Sequence, residues 1–303
     1  MNGRTNLGAS VSARLLNQAK QTGADYQTLL TTYCLERFLY RLGASDLRDR
    51  FVLKGAMLLR LWADQPYRAT RDLDLLRRGN GAFGAVREDL RAILATPVPP
   101  DAVSFDGDDI QVEAIRAEDE YAGVRATLPA QLGTARLVLQ IDMGVGDAVS
   151  PAPELCTYPT LLDFPAPRVL AYPKEAVIAE KFEAMVVLGE RNSRIKDFFD
   201  IFYLAGHFQF DRLVLGDALR QTFTRRGTPV PNDVPVALTP EYWTSATRPA
   251  QVRAFSRRTG VEIADDFADE CARMLGAFLM PLLDDLRKGL SGSGTWSPGG
   301  PWH

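Results

Sequence analysis

Apolar positions recur at helical spacing near the start of the chain. Residues 11–20 carry one apolar stripe, with Ser10 placed to cap it. Residues 26–42 repeat the stripe through Leu29, Leu30, Tyr33, Leu35, Phe38 and Leu39. Together they predict a helical lead-in. The run Phe51-Val52-Leu53-Lys54 reads as a strand ending at Gly55, which permits a tight turn into a helix over residues 56–62. Residues 71–76 alternate polar and apolar as a half-buried strand does, stopping before the turn-forming Gly79-Asn80-Gly81. A helix over residues 86–94 is broken by Pro97, Pro99 and Pro100.

Strands are expected over residues 103–110, 111–116, 121–128 and 136–143, giving a mixed or antiparallel sheet. Residues 144–173 are proline-rich and aperiodic, which predicts a long surface connection. Helices follow over residues 174–188 and 193–204, and most of the chain beyond Gly206 is expected to be helical, especially residues 263–290. Ser291 to His303, rich in serine, glycine and proline, reads as a disordered tail. The expected division is therefore a main domain over residues 1–205, a mainly helical region over 206–290 and a flexible tail over 291–303.

A chain of 303 residues with 46% apolar content can bury a substantial core. No stretch approaches about eighteen uninterrupted apolar residues, and the start of the chain lacks the basic-then-apolar layout of a secretory signal. A cytoplasmic protein without a membrane span is expected. Cys34, Cys156 and Cys271 are far apart and show no CxxC spacing, which argues against a disulfide framework or a zinc site and predicts small buried side chains. A net charge of -3 excludes a uniformly basic surface but is compatible with a local basic groove. Arginines thicken at Arg60, Arg68, Arg71, Arg77 and Arg78, where a polyanion could approach, although solvation alone also accounts for such a cluster. Lysines are few, at positions 20, 54, 174, 181, 196 and 288, so each carries more information than an arginine does.

The candidate chemistry centres on Asp72 and Asp74, which alternate along a strand and so place two carboxylates on one face. Such a pair invites a hard divalent cation, magnesium or manganese. Asp-x-Asp alone is common by chance. Asp142, ending the apolar strand from Leu137, supplies a third carboxylate if its strand lies beside that of the pair, and three carboxylates can share two ions. Gly55 offers a place where backbone amides approach a triphosphate, though a turn alone would also call for glycine. His207 and His303 form no ligand cluster or catalytic triad.

The ordered segments Phe51-Val-Leu-Lys-Gly-Ala-Met57, Thr70-Arg-Asp-Leu-Asp-Leu75, Ile141-Asp-Met-Gly144, Ala179-Glu-Lys-Phe-Glu183 and Arg194-Ile-Lys-Asp-Phe-Phe-Asp-Ile201 resemble the motifs of the AbiEii/AbiGii nucleotidyltransferase toxins, relatives of the MenT toxins. The resemblance spans roughly residues 9–205 and includes Glu36-Arg-Phe-Leu-Tyr-Arg-Leu42. Ala56 stands where the family often has a second glycine. The resemblance implies an α+β fold with a DNA-polymerase-β-like nucleotidyltransferase core, a mixed sheet with helices. It implies Asp72, Asp74 and Asp142 as ligands of Mg2+ or Mn2+, and Lys181 and Asp197 as further catalytic residues. A nucleoside triphosphate is expected against Lys54, Gly55, Arg71, Lys181 and Asp200. The implied acceptor is RNA, a tRNA in the first instance, and the implied partner is a cognate antitoxin. Nucleotide transfer to a protein hydroxyl or small molecule, or a catalytically silent binding module, are the alternatives. Without the resemblance, the second motif helix would read as a solvated charged face over a core of Phe198, Ile201, Phe202 and Leu204.

Overall fold

The computed structural model describes residues 2–62, 70–115, 123–146 and 149–303. Arg68, Arg116 and Tyr121, which figure among the sequence expectations, lie outside the described residues. The chain divides into two compact units, one of Met1–Ala148 with Pro153–Tyr172 and the other of Val149–Ala152 with Pro173–His303.

The first unit opens with α1 (Asn2–Thr22) and α2 (Tyr26–Ala44). The first helix begins ahead of Ser10, which is therefore inside it and caps nothing; Asp25 caps the second, its carboxylate accepting from the Thr28 amide at 2.9 Å. Strand β1 (Phe51–Lys54) leads through a 3-10 turn, Gly55–Leu58, into the short α3 (Leu59–Trp62). Then come β2 (Asp72–Arg77), α4 (Phe83–Ala95), β3 (Val103–Phe105), β4 (Gln111–Ile115), β5 (Gly123–Leu132), β6 (Ala135–Val145), β7 (Glu154–Thr157) and β8 (Arg168–Ala171).

These strands form one eight-stranded mixed sheet in the order β3-β5-β6-β2-β1-β8-β7, with β4 pairing β5. The β2–β6 and β1–β8 pairs are parallel and the others antiparallel. The segment expected to be an unstructured connection thus contributes two strands. Each has only four residues, too few for alternation to rise above the proline-rich background. Leu73, Leu75, Leu139, Ile141, Met143 and Ala126 are fully buried on one face, where α2 packs on β5, β6 and β8 and α4 packs on α2. The alternate positions, half-buried, form the other face.

The second unit holds α5 (Lys174–Leu188), α6 (Ile195–His207), β9 (Phe210–Asp211), α7 (Arg212–Arg226), α8 (Pro240–Trp243), α9 (Arg248–Thr259), α10 (Phe267–Lys288) and β10 (Thr295–Trp296). Helix α5 packs on α6 and α7, and α10 on α6 and α7. Both motif helices lie in the second compact unit with the C-terminal helices, whose main segment starts at Pro173. The expected flexible tail is instead built into the unit. Thr295–Trp296 pairs antiparallel with β9, Trp296 is only 1% exposed and its indole donates to Ala205 O at 2.7 Å, and Trp302 donates to Phe278 O at 3.0 Å while stacking on that ring. Two indoles that find both apolar cover and an acceptor outweigh the loop-like composition.

Cys34 and Cys271 are buried and unbridged, and burial pushes the Cys34 thiol up to about 12. Among the described residues no helix is long and apolar enough to cross a membrane.

Candidate active site

In the first unit, alternation along β2 puts Asp72 and Asp74 on the same half-buried face. The sheet order answers the question left open by the sequence: β6 lies beside β2, and Asp74 and Asp142 are direct Cα partners. On the other side of β2, Lys54 is the Cα partner of Asp74. Its ammonium lies 6.0 Å from the centroid of the Tyr172 ring. The Thr70 hydroxyl donates to the Asp72 carboxylate.

Gly55 has φ +71°, a conformation that L side chains rarely adopt, and it lies against Asp74. A Cβ added there would come within 2.7 Å of the Asp74 Cβ and overlap its carboxylate. The glycine is thus required twice, by the turn and by the carboxylate that occupies the space above it.

Asp142, expected as the third ligand, is bound by neighbouring side chains. Arg125, its Cα partner on β5, donates from Nε to Oδ1 and from Nη2 to Oδ2, both at 2.8 Å, and Gln140 Nε2 donates to Oδ2 at 3.2 Å. Among the described residues no group of three His, Cys, Asp or Glu side chains is gathered as a metal site. The donor chemistry of Asp72 and Asp74 fits one hard divalent cation. The three-carboxylate, two-ion arrangement does not fit as the side chains stand, because the third carboxylate is held by a guanidinium. Arg125 was not singled out by the sequence; only strand register brings it to Asp142.

The arginines divide. Arg77 is buried and bound twice to Asp89, at 3.0 and 2.6 Å, so it belongs to the core and not to a polyanion-binding surface. Arg78 donates to Asp49 O at 3.0 Å. Arg71, expected near the nucleotide, pairs with the helix-capping Asp25 at 3.2 Å and with the Thr28 hydroxyl at 3.2 Å, its side chain 68% exposed. An exposed pair of this kind is weak and readily exchanged.

In the second unit, Lys181 on α5 lies between two carboxylates of α6, 2.6 Å from Asp197 Oδ1 and 2.9 Å from Asp200 Oδ2. Asp197 and Asp200 do share a helix face, as their spacing requires. Arg194 Nε lies 2.7 Å from Asp197 Oδ2. Burial alone would push the Asp197 carboxyl up; the charges of Lys181, Arg194 and Lys196, with the hydrogen bond from Lys181, outweigh it and hold the group below its ordinary value. Asp200 is thereby placed as a partner of Lys181 within this cluster. Glu183, one helix face along, is fully buried against Arg226 and Thr228. His207 stacks on Tyr203 and takes no part in either cluster.

On β1 and β2 the structure thus gathers a turn glycine, a strand-borne Asp-x-Asp and a flanking lysine, and the class of protein is given by the sequence match. Residues 37–288 match the model of the nucleotidyl transferase AbiEii toxin family of type IV toxin–antitoxin systems. The chain belongs to that family. A nucleoside triphosphate substrate and an antitoxin partner come with it. Two crystal structures from Helicobacter pylori are similar: a protein provisionally described as a nucleotidyltransferase, at 18% identity and TM-score 0.47, covering 88% of this chain and 98% of that one; and JHP933, at 16% identity and TM-score 0.48, covering 88% and 95%. No curated protein matches.

Proposed function

We propose that this chain transfers a nucleotide from a nucleoside triphosphate to an RNA hydroxyl, a tRNA 3′ end in the first instance, in a reaction that depends on Mg2+ or Mn2+ and arrests growth until a separately encoded antitoxin intervenes. The observation that carries the reading is the register of Lys54, Asp74 and Asp142 on adjoining strands, with Gly55 folded against Asp74. A cation held by Asp72 and Asp74 would neutralise the triphosphate and favour loss of pyrophosphate.

The chain's own residues do the rest. Gly55 leaves room beside the backbone for the Asp74 carboxylate, which fills the space that a Cβ would take. Lys54 supplies a compact positive charge beside the carboxylates. The acceptor oxygen attacks the α-phosphorus, the bond from that phosphorus to the bridging oxygen breaks, pyrophosphate leaves with the bonding pair and the hydroxyl proton passes to solvent. Lys181 and Asp197 enter this reading from the family motif alone; within the second unit Asp197 and Asp200 hold the Lys181 ammonium in place. For the acceptor, exposed arginines such as Arg71 offer a sequence-tolerant grip on phosphates that weakens with salt.

The test is incubation of the purified chain with total RNA, magnesium or manganese and each labelled nucleoside triphosphate in turn, beside Asp74→Ala. Label on RNA that requires Asp74 is the expected result. Label on protein, or no label from any nucleotide with a folded chain, rules the RNA acceptor out.

A further inference from the structure

Lys54, Asp74, Asp142 and Arg125 are successive Cα partners across β1, β2, β6 and β5, and Glu113 on β4 continues the row beyond Arg125. Directly paired residues share a sheet face, so the row presents the charges plus, minus, minus, plus, minus side by side. Adjacent carboxylates repel unless something between or beside them is positive. For Asp142 that positive group is already in place. The two-pronged fit of Arg125 onto Asp142 engages both carboxylate oxygens, and the Gln140 amide adds a further bond to one of them. A cation recruiting Asp142 would have to break these bonds first.

We propose that Asp142 is a positioning residue for Arg125 and not a metal ligand: Asp72 and Asp74 alone supply the carboxylates for the cation, and Arg125, oriented by Asp142, meets the phosphates of the nucleotide. The inference rests on reading the first unit as a nucleoside triphosphate site. Exposure supports the division of labour, since the Asp142 side chain is 16% exposed and that of Arg125 35%, so the carboxylate is the sheltered member and the guanidinium the one that meets solvent. Among the described residues, Asp142 takes Nε and Nη2 of Arg125, and Nη1 has no hydrogen-bond acceptor. The hydrogen bonds that Arg125 donates to Asp142, with the charges of Asp142, Glu113 and Asp72, outweigh desolvation and strengthen the hold of Arg125 on its proton. A planar cation with its orientation fixed loses little further freedom on meeting a phosphate, which is the advantage of pre-organisation. Lys54 and Arg125 then stand at the two ends of the carboxylate pair Asp74–Asp142, framing it with positive charge.

Two titrations on the full chain test this. The first follows Mn2+ binding by electron paramagnetic resonance. The expected result is that Asp74→Asn weakens binding about tenfold or more, as loss of a charged ligand does, while Asp142→Asn leaves it within about threefold. The second measures the affinity for inorganic tripolyphosphate in magnesium by calorimetry. Arg125→Ala and Asp142→Asn are each expected to weaken it by roughly tenfold, the double variant by little more than either alone, with Arg125→Lys between native and alanine. Arg125→Gln, closer in length, serves where the alanine variant does not fold. Loss of Mn2+ binding in Asp142→Asn as severe as in Asp74→Asn overturns the inference while leaving the metal-dependent reading standing. Tripolyphosphate affinity indifferent to Arg125 also overturns it. Native chain that binds neither Mn2+ nor tripolyphosphate brings down both the inference and the function on which it rests.

Discussion

Asp74 on β2 and Asp142 on β6 are direct Cα partners in a parallel pair, and the core enforces their register. Leu73, Leu75, Ile141 and Met143, the neighbours on either side, are fully buried on the opposite face. A slip of one residue between these strands would turn the two apolar side chains of one strand to the site face and that strand's carboxylate into the core. The chemistry on one face is therefore held in place by apolar packing on the other.

Gly55→Ala tests the contact beneath Asp74. The positive φ alone costs about 1–2 kcal/mol for an L side chain, and the new methyl has nowhere to go except into the Asp74 carboxylate. Displacing a catalytic group by about 1 Å can cost on the order of a hundredfold in rate. The expected variant folds, melts slightly lower than native and is severely impaired in nucleotide transfer. Activity within a few-fold of native would show that Asp74 has no need of the space.

Lys181→Met separates structural from chemical dependence in the second unit. The substitution preserves length but leaves Asp197 and Asp200 buried without their shared ammonium. Breaking a buried pair in this way costs about 3–5 kcal/mol. Urea unfolding should report a loss of that order, and a loss below about 1 kcal/mol would mean that water or Arg194 already compensates.

Asp197 gives the cluster an acid sensitivity with a definite sign. Its folded value is depressed below the ordinary 3.8, so its contribution to stability is whole above that value and is lost as pH falls through the lower folded one. Native chain should therefore exceed Asp197→Asn in melting temperature at neutral pH, with the difference narrowing below about pH 4. A difference that stays constant from neutral pH to about pH 3 would remove the carboxylate charge from the account.

The C-terminal segment should behave as part of the folded unit. Trp296 is buried among Phe278 and Trp302 and donates to the last turn of α6. Trp296→Ala is expected to destabilise by about 3–5 kcal/mol, and proteolysis of the native chain should spare the bonds after Ser291. Rapid trimming of the native chain at that point, with no change in melting temperature, would restore the picture of a loose tail.

Local pattern alone determined much of this protein. The stripes of α2, α4 and α10, the alternation of β2 and β6 and the turn at Gly55 are written in neighbouring residues, because helical and strand periods are properties of short segments. The Asp-x-Asp pair was legible for the same reason, and the order of motifs sufficed to point to the family. Three things were decided only in three dimensions. β8 is a four-residue strand defined by its pairing with β1, and nothing within it distinguishes it from loop. The tail owes its order to an acceptor, Ala205 O, ninety-one residues earlier in the chain. Arg125 meets Asp142 because β5 and β6 form a long antiparallel ladder whose register brings residues 125 and 142 opposite each other. Sequence supplies the charges of a site, whereas the hydrogen-bonded register of strands decides which charge neutralises which, and so whether a carboxylate is available to a cation or already committed to a neighbour.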